Sequence, residues 1–355
     1  MRGALLGFAA GLIVAAALLA SATAASGHSS VSDSSATFVL VVEDSTKTEY
    51  IAAASISQPG ANAADHTFHK DPMAARQWAM ASLGLPEIGL AETGNTVLVA
   101  VLDTGIDDSH EDLAGKVVAE KDFTGSQSAK DVNGHGTHVA GTIAATKDNG
   151  IGIAGLVPNA ILLNVKVADD YGSCDAEAVA RGIIWATDNG ANVINVSLEL
   201  GSPSDALALA VDYAWGHGAI IVAAAGNDAS PNPVYPAFYA EAIAVGGVDK
   251  NDRIAPLSNY GYWVDVAAPG FEIYSTLPGD TYGFKSGTSF AAAQVSGLAA
   301  YLYNIAEDRN GDGRVNDEVK KAIESGCVEL NGLNLGHGKI DFGRSLSVAR
   351  SIPGD

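Results

Sequence analysis

From Val97 onward, short apolar runs alternate with longer stretches of mixed polarity. VLVAVL (97–102), ILLNVKV (161–167), VINVS (193–197), AIIVAAA (219–225) and AIAVGGV (242–248) are almost wholly apolar. They lack the alternation of a strand with one face in water, so each reads as a strand covered on both sides. GTHVAGTIAAT after His135, DAEAVARGIIWATDNG from Asp175 and SPSDALALAVDYAWGHG from Ser202 read as the helices between them. A further stretch, KSGTSFAAAQVSGLAAYLY (285–303), has a tight Gly-Thr-Ser followed by small and apolar residues without proline. It predicts a turn feeding directly into a buried helix. Strand–helix–strand repetition predicts an α/β fold, a mostly parallel central β-sheet with helices on both faces. In such sheets functional groups gather beyond the carboxyl ends of the strands.

The first 70 residues follow a different pattern. Arg2, an apolar stretch from Ala4 to Ala20 and the small residues Ala22-Thr23-Ala24 predict a signal peptide over 1–24. An uncleaved membrane anchor is the other reading of the same stretch. Residues 25–70 are rich in Ser, Ala and Asp, with one strand-like run over Thr37–Val42, and are expected to be a pro-segment or linker. Residues 71–355 then form a single domain. Acidic residues number 41 against 20 basic ones, a net charge of −21. That repels nucleic acid and anionic membranes, so neither is expected as a partner. Two cysteines, Cys174 and Cys327, make no disulfide framework and are expected to be unbridged; with neither CxxC nor HExxH present, zinc has no support.

Candidate chemistry sits where apolar runs end. Asp103 closes the first run in VAVLDTGID, which places a carboxylate at the sheet's carboxyl edge. The same Asp-Thr-Gly occurs in aspartic proteases, but those need two carboxylates sharing a proton, and no second such motif exists here. His135 lies between Gly134 and Gly136 in DVNGHGTHVAGT, at the start of a helix. His138, one turn on, reads as a packed helical residue. Ser289 opens the apolar helix and is either a nucleophile or an ordinary N-cap. GTSFA nearly matches a G-x-S-x-G elbow, yet in that fold the acid and histidine follow the serine, whereas here they precede it. A serine hydroxyl needs a histidine base, and the imidazole needs a carboxylate to fix its tautomer. The tetrahedral oxyanion needs donors, for which the Ser289 N–H and Asn227, directly after AIIVAAAG, are candidates.

Together LDTGIDDSHEDL, NGHGTHVAGTIAA, AAAGN and SGTSFAA resemble subtilisin-type serine proteases, in particular the thermitase branch. Order and spacing agree, with 32 residues from Asp103 to His135 and 154 from His135 to Ser289. The resemblance implies a triad of Asp103, His135 and Ser289, with Asn227 completing the oxyanion hole and Ser289 also capping its helix. It implies that Tyr171-Gly172-Ser173 and Ser197-Leu198-Glu199 hold an extended peptide between them. The expected partners are therefore protein or peptide substrates and the chain's own pro-segment as inhibitor or chaperone, and the expected state is a monomer. The same resemblance implies structural calcium, with Asp112, Asp148 and Asn149 at positions like the family's strong site. Separately, DRNGDGRVNDEV resembles an EF-hand or dockerin loop through Asp308, Asn310 and Asp312. Its closing acid is expected at position 319, where Val319 stands, with Glu318 one residue early.

The chain departs from the family pattern near the nucleophile and in the pocket. Phe290 follows Ser289 where methionine is usual, and Ala293-Gln294 replaces Pro-His. Glu199 stands where a glycine is usual, Val234 where a glycine often forms the pocket floor, and Asp228 follows Asn227 at the rim. These residues predict a shortened pocket with a negative rim that disfavours acidic and very large side chains, unless Glu199 points to solvent. A non-catalytic peptide-binding relative and a serine esterase are the competing readings.

Overall fold

The computed structural model describes residues 70–85, 96–126 and 128–351, together with the backbone of two earlier strands, β1 (Phe38–Asp44) and β2 (Lys47–Ala53). Residues 1–24, the expected signal peptide, lie outside the described residues, as does most of 25–70. The strand-like run at 37–42 forms β1, and β2 pairs with it antiparallel, Phe38 opposite Ala53.

The five apolar runs all become strands of one parallel sheet. These are β3 (Leu98–Asp103), β5 (Ile161–Lys166), β6 (Val193–Val196), β7 (Ile220–Ala224) and β8 (Ala242–Val248). Two further strands, β4 (Val117–Asp122) and β9 (Val266–Pro269), complete the order β4-β5-β3-β6-β7-β8-β9, with every pairing parallel.

Each central strand feeds two cores, because successive side chains leave opposite faces. Val99 and Val101 of β3 pack on one side with α2 (His135–Ala144) and α5 (Thr288–Tyr303). Ala100 and Leu102 pack on the other with α3 (Ala176–Asp188) and α4 (Asp205–Gly216). Ile220 and Val222 against Ile221 and Ala223 repeat the division in β7.

Local chemistry sets the helix starts on the outer layer. Asp175 accepts the Ala178 N–H at 2.8 Å to cap α3, and Ser204 accepts that of Leu207 at 3.4 Å to cap α4. α5 is different: every residue from Thr288 to Leu302 is buried, so it is a core helix with no solvent face. An antiparallel hairpin of β10 (Ile273–Leu277) and β11 (Thr281–Lys285) lies against α2. Three further helices, α1 (Trp78–Ser82), α6 (Asn316–Ser325) and α7 (Phe342–Ser351), contribute to the core that holds α5.

The closeness of α5 to its neighbours gives a prediction with an unusual sign. Replacing an interior helical glycine by alanine ordinarily gains about 1 kcal/mol. At Gly297, however, an added Cβ would sit 2.8 Å from Leu156 Cβ, an atom fixed by its backbone. We expect Gly297→Ala to lower stability by about 1–3 kcal/mol, read as a reduced denaturation midpoint in urea.

Candidate active site

Asp103, His135, Asn227 and Ser289 meet where β3, β7, α2 and α5 converge at the carboxyl edge of the sheet. Asp103 is the last residue of β3 and is fully buried. Its carboxylate faces His135 Nδ1 at 2.8 and 3.0 Å and also accepts the Thr104 N–H at 2.7 Å. An ionised carboxylate accepts only, so Nδ1 carries the proton and Nε2 keeps its lone pair for the cleft. The His135 side chain is 24% exposed, which leaves that nitrogen reachable.

Glycines make this pair possible. Gly134 takes φ +87° at the start of α2, a left-handed conformation. At Gly136 an added Cβ would overlap the Gly105 carbonyl and lie 3.1 Å from Asp103 Oδ1. Sequence reading did not single out Asp131, whose buried carboxylate fixes the same corner. It accepts the Thr104 hydroxyl at 2.9 Å, the Gly134 N–H at 2.8 Å, and the Thr137 N–H and hydroxyl at 2.9 and 2.7 Å. Its signal was the sequence Asp131-Val-Asn-Gly, a turn acid just before a helix. Lys166, fully buried, donates to the Thr104 carbonyl and pairs with Asp170 at 2.9 Å, bracing the other side.

Ser289 sits in the first turn of α5. The expectation that it also caps the helix is not met: the helix starts at Thr288, and the Thr288 N–H donates to Asn227 Oδ1 at 2.9 Å. A side chain 61 residues away thus supplies the cap. Because an N–H needs an oxygen acceptor, this bond fixes the amide orientation and turns Asn227 Nδ2 the other way. The Thr288 hydroxyl accepts the Gly226 N–H at 3.0 Å, tying the end of β7 to the same helix. The Ser289 hydroxyl donates to the Ser197 carbonyl at 3.1 Å rather than to His135. Ser197 Oγ in turn donates its one proton to Asn195 Oδ1 at 2.8 Å, with the Ser289 carbonyl 3.1 Å away as the alternative acceptor.

Around this centre, Gly172 and Ser173 lie exposed in a turn closed by the Ala168–Cys174 bridge, with Tyr171 at its tip 91% exposed. Asp169 Oδ1 accepts the N–H groups of Tyr171 and Ser173 and holds that turn. Across the cleft Ser197 is buried, Leu198 and Glu199 are half-buried, and Leu200 pairs with Tyr235. Glu199 does not simply face solvent: its Oε2 accepts the Asn227 N–H at 2.9 Å. Asp228 is exposed at the rim and Val234 is buried.

The expected calcium residues divide. Asp112 is fully buried and accepts from Asn149 Nδ2 at 2.8 Å, the Ile153 N–H at 2.9 Å and the Tyr282 hydroxyl at 2.9 Å. Asp148 turns its side chain outward, accepting the Lys70 N–H at 3.1 Å, while Asp71, not singled out from sequence, accepts the Asp148 and Gly150 N–H groups. In the second loop, Asp308 accepts from Gly311 and Gly313, Asn310 from Asp312, and Asp312 from Arg314. Val319 is in the core, so it closes nothing; Glu318 folds back instead and accepts the Arg309 N–H at 3.0 Å. Among the described residues, no group of three or more His, Cys, Asp or Glu side chains gathers at metal-binding spacing. No disulfide joins Cys174 and Cys327, and burial pushes the Cys327 thiol up to about 12.

His138 is packed, as expected. It is fully buried, and its Nε2 donates to the carbonyls of Ile273 and Gly283 at 3.0 and 3.2 Å. Burial first, then the charges of Lys285 and His135, lowers its pKa from 6.5 to about 3. Between those values the unfolded chain binds a proton that the native one does not, so stability falls as pH drops below 6.5. We expect wild type to lose roughly 2 kcal/mol more than His138→Gln between pH 7 and pH 5, measured by urea denaturation at both values.

Comparison with known proteins agrees with this geometry. The subtilase family model matches residues 94–334, more than half of the chain. Thermitase of Thermoactinomyces vulgaris is 43% identical over 264 residues, covering 74% of this chain and 92% of that protein. The thermophilic serine proteinase of Bacillus sp. strain AK1 is 47% identical over 235 residues, covering 66% of this chain but only 57% of its own length. A solved protease structure from Pseudoalteromonas arctica PAMC 21717 superposes with a TM-score of 0.71 at 31% identity, covering 79% of this chain and 99% of that one. This chain therefore belongs to the subtilase family of serine peptidases.

Proposed function

We propose that the chain is an exported serine endopeptidase that hydrolyses internal peptide bonds through an acyl-enzyme on Ser289. The observation that carries this reading is the pairing of two fixed orientations. Asp103 sets the His135 tautomer, and the α5 N-terminus sets the Asn227 amide, so base and oxyanion donor are both aimed before substrate arrives.

In the first step Ser289 turns from the Ser197 carbonyl toward His135, a rotation about one side-chain bond. His135 Nε2 takes the hydroxyl proton as the oxygen attacks the substrate carbonyl carbon. Asp103 then stabilises the imidazolium. The carbonyl oxygen, now negative, receives Asn227 Nδ2–H and the Ser289 N–H, which lies in the first helical turn where N–H groups lack intrahelical partners. The imidazolium passes its proton to the departing amine, and water, activated by the same base, releases the acyl group. An extended peptide lies between 171–173 and 197–199, bonded through its main chain as an added strand.

Export rests on the signal-like residues 1–24, and the β1–β2 hairpin lies within the proposed pro-segment, an inhibitor or folding aid for the monomeric domain at 71–355. Among the described residues no helix is long and apolar enough to cross a membrane.

Calcium is the cofactor the donor chemistry fits, at two places. Asp71 and Asp112 both grip the loop 148–153, and with Asn149 and main-chain carbonyls they offer oxygen ligands only, the set calcium takes. Gly152 lies so close to Asp112 and Tyr282 that no side chain fits there. In the loop at 308–318 the fit rests on Glu318, which is nearly buried and whose Oε2 has no hydrogen-bond partner among the described residues. Burial raises its pKa, and a cation beside it would offset that cost. Bound there, the ion supplies only structural charge neutralisation.

Fluorophosphonate labelling tests the catalytic reading. We expect modification of Ser289, located by mass spectrometry, and its loss in His135→Ala. Asn227→Ala is expected to reduce kcat about a hundred- to a thousandfold with KM little changed. An unlabelled, folded protein freed of residues 25–70 would leave the cleft as a peptide-binding surface only. For calcium, chelation should lower Tm by several degrees, and calorimetry should show one site fewer in Asp112→Asn and, independently, in Glu318→Gln.

A further inference from the structure

Lys166 is the last residue of β5 and stands opposite Asp103 in the parallel register with β3. Its side chain is fully buried, a position lysine rarely takes unless it is paired. The ammonium donates to the carbonyl of Thr104, directly after Asp103, and pairs with Asp170 Oδ1 at 2.9 Å. One buried cation therefore touches both the strand end that carries Asp103 and the turn that carries residues 171–173. The proposed proton exchange among Asp103, His135 and Ser289 makes no use of it.

That turn is a unit held from within. Asp169 Oδ1 accepts the N–H groups of Tyr171 and Ser173, each at 2.9 Å. The Asp169 N–H donates to the Ser173 carbonyl at 2.9 Å, and the Gly172 N–H donates to the Asp169 carbonyl at 3.0 Å. These bonds fix the shape of the turn and not its place. Its tip stands out in solvent, with Tyr171 exposed, so packing does not hold it there. Asp170 ties it to the catalytic corner instead. Its carboxylate lies on Lys166, and its carbonyl accepts Asn133 Nδ2 at 3.4 Å from the loop before His135.

The two ties differ in strength. A neutral hydrogen bond of 3.4 Å at an exposed position is long and weak. The ion pair is another matter, because only one of its partners can return to water. If the turn swung outward, the Asp170 carboxylate, already 43% exposed, would be rehydrated. The ammonium would stay in the interior without its counter-charge, which is the costly way to break a buried pair. A penalty falling on Lys166 thus keeps the turn against the corner. A peptide added as a strand at 171–173 then finds its main-chain partners already placed, and the cost of ordering them is not subtracted from binding.

We propose that Lys166 is a positioning residue, which holds the substrate strand 171–173 at a fixed distance from the Asp103–His135 pair. Substrate residues remote from the scissile bond thereby contribute to its cleavage. The inference rests on the endopeptidase reading and adds how that cleft links substrate length to rate. Being fully buried, Lys166 itself touches neither substrate nor reacting atoms.

The test compares two thioesters on enzyme titrated with fluorophosphonate, acetylated leucine alone and the same leucine extended at its amino end by three alanines. The short ester reaches Ser289 and the neighbouring Ser197 but not the turn, whereas the long one spans both. Wild type should prefer the long ester. In Lys166→Met, which keeps the length of the side chain and removes its charge, the long-to-short ratio of kcat/KM should fall about tenfold, mainly through KM for the long ester. A merely structural role would lower the amount of titratable enzyme or slow both esters equally, and would leave the ratio alone. Asp170→Asn, at a partly exposed position, should lower the same ratio, and it decides if Lys166→Met does not fold. Wild type without preference for the long ester, an unchanged ratio in folded Lys166→Met, or an equal loss for both esters would overturn the proposal and leave the endopeptidase reading standing. Wild type that takes no label would overturn both readings together.

Discussion

The Asp131 carboxylate is the tie on which the rest of the site depends. One buried side chain accepts four hydrogen bonds, one from the hydroxyl beside Asp103 and three from the N-cap and first turn of the helix that carries His135. The Thr104 hydroxyl then accepts the Gly136 N–H at 3.0 Å, and the Thr137 hydroxyl accepts that of Asp107. Strand end and helix start are thereby locked at one relative position. An ionised carboxylate in the interior is stable only when its acceptor capacity is filled, and here it is filled from both elements that must be aligned. Loosening either element would leave a buried charge short of partners, so the corner holds as a unit.

The serine side uses the opposite polarity. α5 is buried along almost its whole length, so its free N-terminal N–H groups cannot be satisfied by water. Asn227 resolves this for Thr288, and in doing so acquires a fixed amide orientation. One contact thus satisfies a buried N–H and, in the proposed mechanism, preorganises the oxyanion donor. The Ser197 carbonyl accepts the Ser289 hydroxyl in the same way.

How much of this was legible in the sequence follows from how local each signal is. Five strands were readable because both their faces are buried, giving uninterrupted apolar runs. β4 was not, because it is a half-exposed edge strand, VVAEKD, whose pattern resembles a loop. β9 was missed because four residues, VAAP, are too few to show a period. Asp103, His135, Asn227 and Ser289 were readable from motifs at strand and helix ends, and the fold brings them together. The cap on α5 was misassigned to Ser289 since the true acceptor lies 61 residues upstream, and no local pattern marks it. Asp71 was not singled out because its partners are distant in sequence: it accepts the Asp148 and Gly150 N–H groups, 77 and 79 residues on. Val319 could not close the 308–318 loop because it is needed in the core beneath α6.

Seen as electrostatics, the site segregates its charges. Asp103 and Asp131, both buried, stand at His135 Nδ1 and at the start of the helix that carries it. In the proposed mechanism, N–H donors from Asn227 and the α5 terminus face the oxygen on which negative charge develops. In the proposed attack positive charge moves toward the acids and negative charge toward the donors, so groups already in place favour both shifts.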